Sequence, residues 1–405
     1  MSSERRLSTA EAAARLGVKP ETLYAYVSRG LIRRERSPHG STFAPTDVER
    51  LAQAGRRVRR LPTLVFPSSL TLIENDRVFY RGLDVIRLSR ERTFEEVAGW
   101  LWTGSWPDAT EWPNDTARGE AVGRAQETLP NDCLPIDRLR LTVAVAAGND
   151  PNRHDTTPTA VISTAQRLIP LMVQTVAPTR SARRPHRRNA DLSIAAILWP
   201  KLSPLPPTTG RIDALNAALV LLADHELAVS TLAVRAAAMA RADTYGVVGT
   251  GLNVAGGSRH GGASLDLEGV LSHAAVVGIG RAIEARLANG HLPGFGHPIY
   301  KNRDPRARPL LDRLNDLDPD PARRAFVDSF LDAVESRSLF HANVDAALAG
   351  LAWCGEMRPG SGEAIFVIAR TAGWVAHALE QYDQTTLMRS RVDYAGPRPN
   401  RTTAK

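Results

Sequence analysis

The stretch LPGFGHPIYKNRDPRARPLL, Leu292 to Leu311, sets one imidazole, His297, between glycine-rich apolar backbone and four cations, Lys301, Arg303, Arg306 and Arg308. Backbone that bends freely, an imidazole and several fixed cations in one loop suit a site that grips an anion and moves a proton. Three further stretches carry comparable combinations. ADHELAVSTLAVR sets His225 between two carboxylates, NVAGGSRHGGAS surrounds His260 with four glycines, and FHANVDAALAG holds a lone acid, Asp345, in an apolar segment. Arg370 in FVIARTAGW and Arg389 in LMRSRVDYAG add two more cations.

Each of these residues also has a plain structural use. His225 can pair with Asp224 or Glu226 on a helix, Asp345 can cap the helix that follows it, and Arg370 can satisfy helix carbonyls. His273, His341 and His377 are read as structural. The glycine settings are different, because glycine lets backbone approach a ligand closely. Two such loops, GGSRHGG and PGFGH, joined to YKNRDPRA, make a combination that points to ligand and proton chemistry.

The elements that must position these residues are mostly helical. SLTLIENDRVFYRGLDV predicts a hairpin, Thr71–Ile73 and Val78–Tyr80 about a turn at Asn75-Asp76. Thr93 with Glu96 three residues on opens a helix through RTFEEVAGWLWTG. RIDALNAALVLLADHELAVSTLAVRAAAMA reads as one long helix, apolar on more than one face, which belongs in a core or a subunit interface. GVLSHAAVVGIGRAIEARLA and EAIFVIARTAGWVAHALEQ repeat that character. Arg183–Ser193 and LSPLPPTTGR read as exposed loops, and GPRPNRTTAK as a mobile tail.

The totals fit a large globular enzyme. At 405 residues, 43% of them hydrophobic, the chain is long enough for two or three domains. No apolar run of about 18 residues predicts a membrane span, and the N-terminus lacks an apolar signal-peptide core. The 2 cysteines, Cys133 and Cys354, lie far apart, which argues against a disulfide scaffold or cysteine metal cluster and fits a reducing cytoplasm. The net charge of +8 is uneven. Residues 1–60 carry 13 Lys and Arg against 6 Asp and Glu, a net +7, leaving +1 for the rest. That asymmetry suggests an acidic partner such as nucleic acid, or else a solvated arginine-rich face.

Within those sixty residues, Ser8 with Glu11 forms a capping box behind Leu7, and the helix ends at Gly17. Pro20 opens a second helix with Leu23, Tyr24 and Val27 on its apolar face, stopped by Gly30. Leu31–Arg34 and Ser41–Phe43 pair across Pro38-His39-Gly40, and Asp47 begins a further helix through Val48 and Leu51. STAEAAARLGVKPETLYAYVSRGLI and its hairpin resemble the winged helix-turn-helix domain of the MerR/excisionase type over residues 6–55. The resemblance implies that Thr22, Tyr24, Ala25 and Arg29 face DNA, with Arg33, Arg34 and Arg36 on phosphate. The alternative is a domain kept for protein contacts.

RHGGA, GFGHPIYKNRDPRA, NVD, ARTAGWVAH and RSRVDYAG, in this order and spacing, resemble the citrate synthase family over residues 68–396. SLTLIENDRVFYRGLDV and TFEEVAGWLWTG resemble its N-terminal hairpin and first helix. The resemblance implies a mostly α, two-domain homodimer with a small N-terminal β-hairpin. The large domain would span 61–261 and 357–395 and the small one 262–356. They follow a winged-helix segment and basic linker at 1–60 and precede a tail at 396–405. It implies condensation of acetyl-CoA with oxaloacetate to citrate and CoA, with the acyl-CoA as substrate, no other cofactor, no metal and no membrane. On that pattern Asp345 is the base, His260 stabilises the enolate and His297 polarises the oxaloacetate carbonyl. His225, Arg306, Arg370 and Arg389, the last from the partner subunit, hold the dicarboxylate. Leu292, Pro293, Gly294, Phe295 and Gly296 lie along CoA, with Lys301 near its phosphates. The sequence departs from the family at Ala346, Ala347 and Leu348 after the base, where aromatic and hydroxyl residues are usual, and at Ser264 after HGGA. The segment after Asp345 is also compact. A methylcitrate synthase using propionyl-CoA, a lyase acting on citryl-CoA, and a metabolite-sensing DNA-binding regulator are the alternatives.

Overall fold

A computed structural model describes residues 6–16, 18–28, 32–37, 40–48, 66–177, 193–257, 260–288, 292–336, 340–384 and 396. The described residues between 6 and 48 gather around their own apolar cluster of Ala12, Ala13, Leu23, Ile32, Phe43 and Val48. Helices α1 (Thr9–Leu16) and α2 (Pro20–Ser28) pack beside a three-stranded antiparallel sheet of order β1-β3-β2. Its strands are β1 (Leu7–Ser8), β2 (Arg34–Ser37) and β3 (Gly40–Phe43). The expected capping box forms: Ser8 Oγ accepts from Glu11 N at 3.3 Å, and Glu11 Oε2 accepts from Ser8 N at 2.8 Å. Three expectations need correction. The first hairpin strand starts at Arg34, not Leu31, because Ile32 is drawn into the cluster at 1% exposure. Strand β1, which the sequence reading lacked, pairs Leu7 with Phe43. The next helical turn begins at Pro45, ahead of Asp47, and Leu51 lies outside the described residues.

The body opens with β4 (Thr71–Glu74) and β5 (Arg77–Tyr80), joined by a two-residue turn. Asn75 and Asp76 there have φ of 52° and 55°, the left-handed conformation that such a turn demands and that Asn and Asp tolerate. Strand β6 (Leu83–Asp84) follows, and Asp84 caps α3 (Val85–Glu91). Helix α4 (Phe94–Thr103) carries the Thr93–Glu96 capping box.

Helix α5 is Thr116–Gln126, α6 Pro135–Gly148, α7 Pro158–Thr175, α8 Ile194–Leu202 and α9 Thr209–Leu222. Helix α10 is Val229–Met239, α11 Thr244–Ala255, α12 Gly262–Val277 and α13 Ile279–Ala288. Helices α14 (Ala307–Asp312), α15 (Pro321–Glu335), α16 (Val344–Cys354) and α17 (Ser361–Asp383) follow. Helix α17 is the spine. Every residue from Ser361 to Ala378 is buried, and α4, α7, α9, α10 and α11 pack around it. A helix apolar on all faces demands such a central place. A second apolar cluster joins Leu267, Leu271, Ile283, Phe330 and Ala346 on α12, α13, α15 and α16 with Leu292 of the loop before α14.

The run expected as one long helix is two helices, α9 and α10, broken at Asp224-His225-Glu226, and Glu226 has φ of 50°. The last carbonyls of a helix need donors from elsewhere, and here other elements supply them. Tyr80 Oη donates to Asp224 O at 2.9 Å and lies within 3.3 Å of the Val220 and Leu221 carbonyls. Arg370 Nε donates to Leu222 O at 2.8 Å, and Gly373 N donates to Ala223 O at 2.9 Å. Tertiary donors thus override local propensity. The GVLSHAAVVGIGRAIEARLA run also divides, at Gly278 with φ of 93°. Among the described residues no helix is long and apolar enough to cross a membrane.

Candidate active site

The break between α9 and α10 presents His225, which is 5% exposed, with Nε2 at 2.5 Å from Tyr300 Oη. The His297 ring centroid lies 5.3 Å from that of His225 and 4.6 Å from that of Tyr300. Three rings from two distant stretches of sequence therefore share one space.

The loop bearing His297 and Tyr300 is held at both ends. Gly294 and Gly296 have φ of 81° and 74°, a conformation that costs side-chain-bearing residues energy. A Cβ on Gly294 would come within 2.5 Å of Leu267. Gly296 N donates to His341 O at 2.9 Å, Asn343 N to Gly294 O at 2.9 Å, and Asn343 Nδ2 to Gly296 O at 2.8 Å. Asn343 also caps α16, its Oδ1 accepting from Asp345 N at 2.8 Å. One asparagine therefore joins the imidazole loop to the carboxylate helix, and it, not Asp345, is the cap. At the far end, the turn residue Asp76 accepts from Lys301 N at 2.8 Å and Asn302 N at 3.0 Å.

Arg306 is buried and forked onto Asp304, with Nε to Oδ1 at 2.9 Å and Nη2 to Oδ2 at 2.8 Å. Asp304 Oδ2 also accepts from Val344 N at 3.1 Å, beside Asp345. Burial alone would raise the Asp304 pKa; the Arg306 charge outweighs it and holds the acid below its ordinary value. Arg370, 1% exposed on α17, satisfies a helix carbonyl as expected, while its guanidinium lies 4.7 Å from the Phe366 ring. His260 also packs edge-on against Phe366, at 5.4 Å, and its Nε2 lies 2.7 Å from Ser230 Oγ on α10.

The electrostatics separate these groups. Burial pushes the Asp345 carboxyl up to about 7, aided by the Asp304 charge and opposed by Arg306 and Arg370. Burial, and then the Arg370 charge, push His260 down to about 4. Burial, Arg306 and Arg370 push His225 well below its ordinary value. Near neutral pH the site thus offers two neutral imidazoles, fixed cations and a carboxylate poised to exchange a proton.

His225, His260, His297, Arg306, Arg370 and Asp345 are accordingly linked through this network of contacts and charges. Arg389 lies outside the described residues. Leu292 belongs to the second apolar cluster and Phe295 packs on it, 6.4 Å from Phe330, so this loop offers a ligand chiefly backbone. Pro293 and Gly294 are buried with them. Lys301 lines a cleft of about 840 Å³ with Arg303 and Arg308. In the N-terminal segment, Thr22 is half-buried and Tyr24 is 40% exposed. Tyr24 Oη lies 3.3 Å from Thr9 Oγ1, and Arg34 sits over its ring at 6.0 Å. Arg33, Arg34 and Arg36 are exposed, Ala25 lies on α2, and Arg29 is outside the described residues. Sequence reasoning missed Ser230, Tyr300, Asp304 and Asn343. Asp304, two residues before Arg306, and Asn343, two before Asp345, carried a local signal; Ser230, in an apolar helical run, carried none.

Family models match two parts of the chain: citrate synthase, C-terminal domain, over residues 61–391, and MerR HTH family regulatory protein over residues 7–56. Citrate synthase 2 of Bacillus subtilis is 30% identical over 351 residues, covering 82% of this chain and 93% of the relative. The citrate/2-methylcitrate synthase of the same organism is 28% identical, covering 80% and 92%. The fold is shared with citrate synthase from Thermoplasma acidophilum in ternary complex with carboxymethyl coenzyme A and oxaloacetate, with TM-score 0.68, 22% identity, and coverage of 83% and 95%. A model match spanning most of the chain and a 30% identical relative aligned over four-fifths of it establish that this chain belongs to the citrate synthase family, behind a MerR-type helix-turn-helix segment.

Proposed function

We propose that the chain condenses acetyl-CoA with oxaloacetate, giving citrate and CoA. The observation that carries this reading is the pairing of a carboxylate raised to about 7, Asp345, with an imidazole lowered to about 4, His260, beside Arg306 and Arg370. A thioester methyl group is a very weak carbon acid, so its proton must leave while a donor meets the enolate oxygen. Asp345 takes that proton. Ser230 Oγ donates to His260 Nε2, which leaves the Nδ1 proton for the thioester oxygen; only a neutral imidazole acts this way.

The enolate carbon then attacks the ketone carbon of oxaloacetate, whose oxygen His297 polarises. Water cleaves the resulting thioester, releasing CoA. Arg306 and Arg370 hold the carboxylates, since planar guanidinium groups match them two bonds at a time. His225, with Tyr300 donating to Nε2, turns its Nδ1 proton to the same substrate. Arg389 is assigned to this set on the sequence match alone, from the second subunit of a homodimer. The loop Leu292–Gly296 runs along CoA, and Lys301 meets its phosphates at the mouth of the cleft that it lines with Arg303 and Arg308. Residues 262–356 form a small domain that closes on the large one of 61–261 and 357–395, excluding water before condensation. The reaction suits a cytoplasmic enzyme.

A second reading, propionyl-CoA as the acyl donor, is favoured by Ala346, a methyl side chain directly after the base and buried against Gly294. The N-terminal segment adds DNA binding through Thr22, Tyr24, Arg29, Arg33 and Arg34. The test is substitution of the base. Asp345→Asn should lower turnover by about 10²- to 10⁴-fold while oxaloacetate binds with unchanged affinity; parental turnover would remove Asp345 from this role.

A further inference from the structure

Next to His225 the chain buries a line of charged and polar groups that the reaction above does not use. Asp224 is 0% exposed, and its Oδ2 accepts from Thr71 Oγ1 at 2.5 Å. His377 Nε2 on α17 lies 3.3 Å from Asp224 Oδ1 and 3.4 Å from Oδ2. On the other side of that ring, Arg235 Nε donates to His377 Nδ1 at 3.0 Å. Arg235, itself 0% exposed, pairs with Glu380, whose Oε1 accepts from Ser69 N at 2.8 Å and Ser69 Oγ at 2.9 Å. The direction of the Arg235 bond assigns the imidazole proton: Nδ1 accepts, so Nε2 carries hydrogen toward Asp224.

An arrangement this buried needs a reason, because a charge left unpaired inside a protein is strongly unfavourable. Its Asp224 end lies in the interruption between α9 and α10. Gly373, one turn before His377, is bare because a Cβ there would collide with Asp224 Oδ1 and Ala223 O. Arg370, two turns before His377 on the same helix, holds Leu222 O. The segment that presents His225 is therefore fixed by its own neighbour, Asp224, and that neighbour by His377.

We propose that His377, through Asp224, is a positioning residue for His225, and that Arg235 and Glu380 lock the His377 tautomer. The proposal rests on the reading that His225 and Arg370 hold the 2-oxo dicarboxylate. Breaking the Asp224–His377 link lets residues 223–226 shift, and His225 leaves its place beside Tyr300 while Asp345 and His260 keep theirs. The loss falls on the affinity for oxaloacetate and spares the acyl-CoA.

Two near-isosteric substitutions separate positioning from mere packing. The amide of His377→Gln reaches the place of Nε2 and can still donate to Asp224; the shorter amide of His377→Asn keeps only the Arg235 side. With oxaloacetate affinity measured by calorimetry on the full chain, His377→Gln should stay within about threefold of the parent. His377→Asn should weaken binding about tenfold or more, with the KM for acetyl-CoA unchanged. In a double-mutant cycle, His377→Asn added to His225→Ala should cost nothing further. Equal affinity in both His377 variants, or full additivity with His225→Ala, would overturn the proposal and leave the functional reading standing. If the parent itself fails to bind oxaloacetate, both fall, and that outcome is recognisable before any variant is made. Should His377→Asn fail to fold, Thr71→Val removes another bond to Asp224 and should weaken oxaloacetate binding in the same selective way; unchanged binding there would equally overturn the proposal.

Discussion

Asp345 is the residue on which pH acts most directly. Its carboxyl is raised to about 7, chiefly by burial, and in the proposed role of base it works only when ionised. kcat/KM should therefore rise about tenfold per pH unit on the acid side and level off above about pH 7. His260, at about 4, stays neutral across that range and adds no limb of its own. A limb near pH 4 in place of pH 7 would deny Asp345 its shifted state. The same shift has a stability consequence with a definite sign. A carboxyl whose folded pKa lies above its unfolded value penalises folding as pH rises between the two, and the penalty is complete above about pH 7. Asp345→Asn should thus melt higher than the parent at pH 8, with the difference fading toward pH 4; thermal melts across that range check it. The residues proposed to carry the chemistry stand out in the sequence because glycine loops and motifs mark them. Their supports stand out less. Ser230 looks like one more small residue in an apolar helix, and the partnership of Tyr300 with His225 joins positions 75 residues apart.

Individual elements carry the geometry. The 294–296 loop and the start of α16 form one piece, tied by Asn343 to both. Gly294→Ala should cost about 1–2 kcal/mol from its left-handed backbone alone, beyond the collision with Leu267. It should lower Tm by a few degrees and raise the KM for acyl-CoA. An alanine variant with parental Tm and KM would show that the loop relaxes freely. Hairpin β4–β5 and helix α4 were readable because their turn and cap chemistry is local. The division of the 211–240 run was not, because its cause is tertiary: Tyr80, Arg370 and Gly373 come from elsewhere to take the carbonyls of α9. The late start of β2 has a similar origin, in the burial of Ile32.

The whole molecule joins a catalytic body to a small basic segment with its own apolar cluster. Net charge of +7 in residues 1–60 against +1 elsewhere places the proposed attraction for DNA in that segment. Deleting residues 1–60 should abolish binding to a random-sequence duplex and leave turnover intact. In the full chain, binding should weaken at least tenfold between 50 and 200 mM salt, on the order expected for several phosphate contacts. Affinity that ignores both the deletion and the salt would leave the segment with another purpose. For the molecule as an enzyme, the most direct measurement is CoA release by the purified full chain from acetyl-CoA or propionyl-CoA, with and without oxaloacetate. Release that depends on oxaloacetate is the predicted result, and the better thioester identifies the acyl group that the site beside Ala346 accepts. No release from either thioester, by folded protein that binds oxaloacetate, would contradict the assignment of Asp345 and His260 to a condensation.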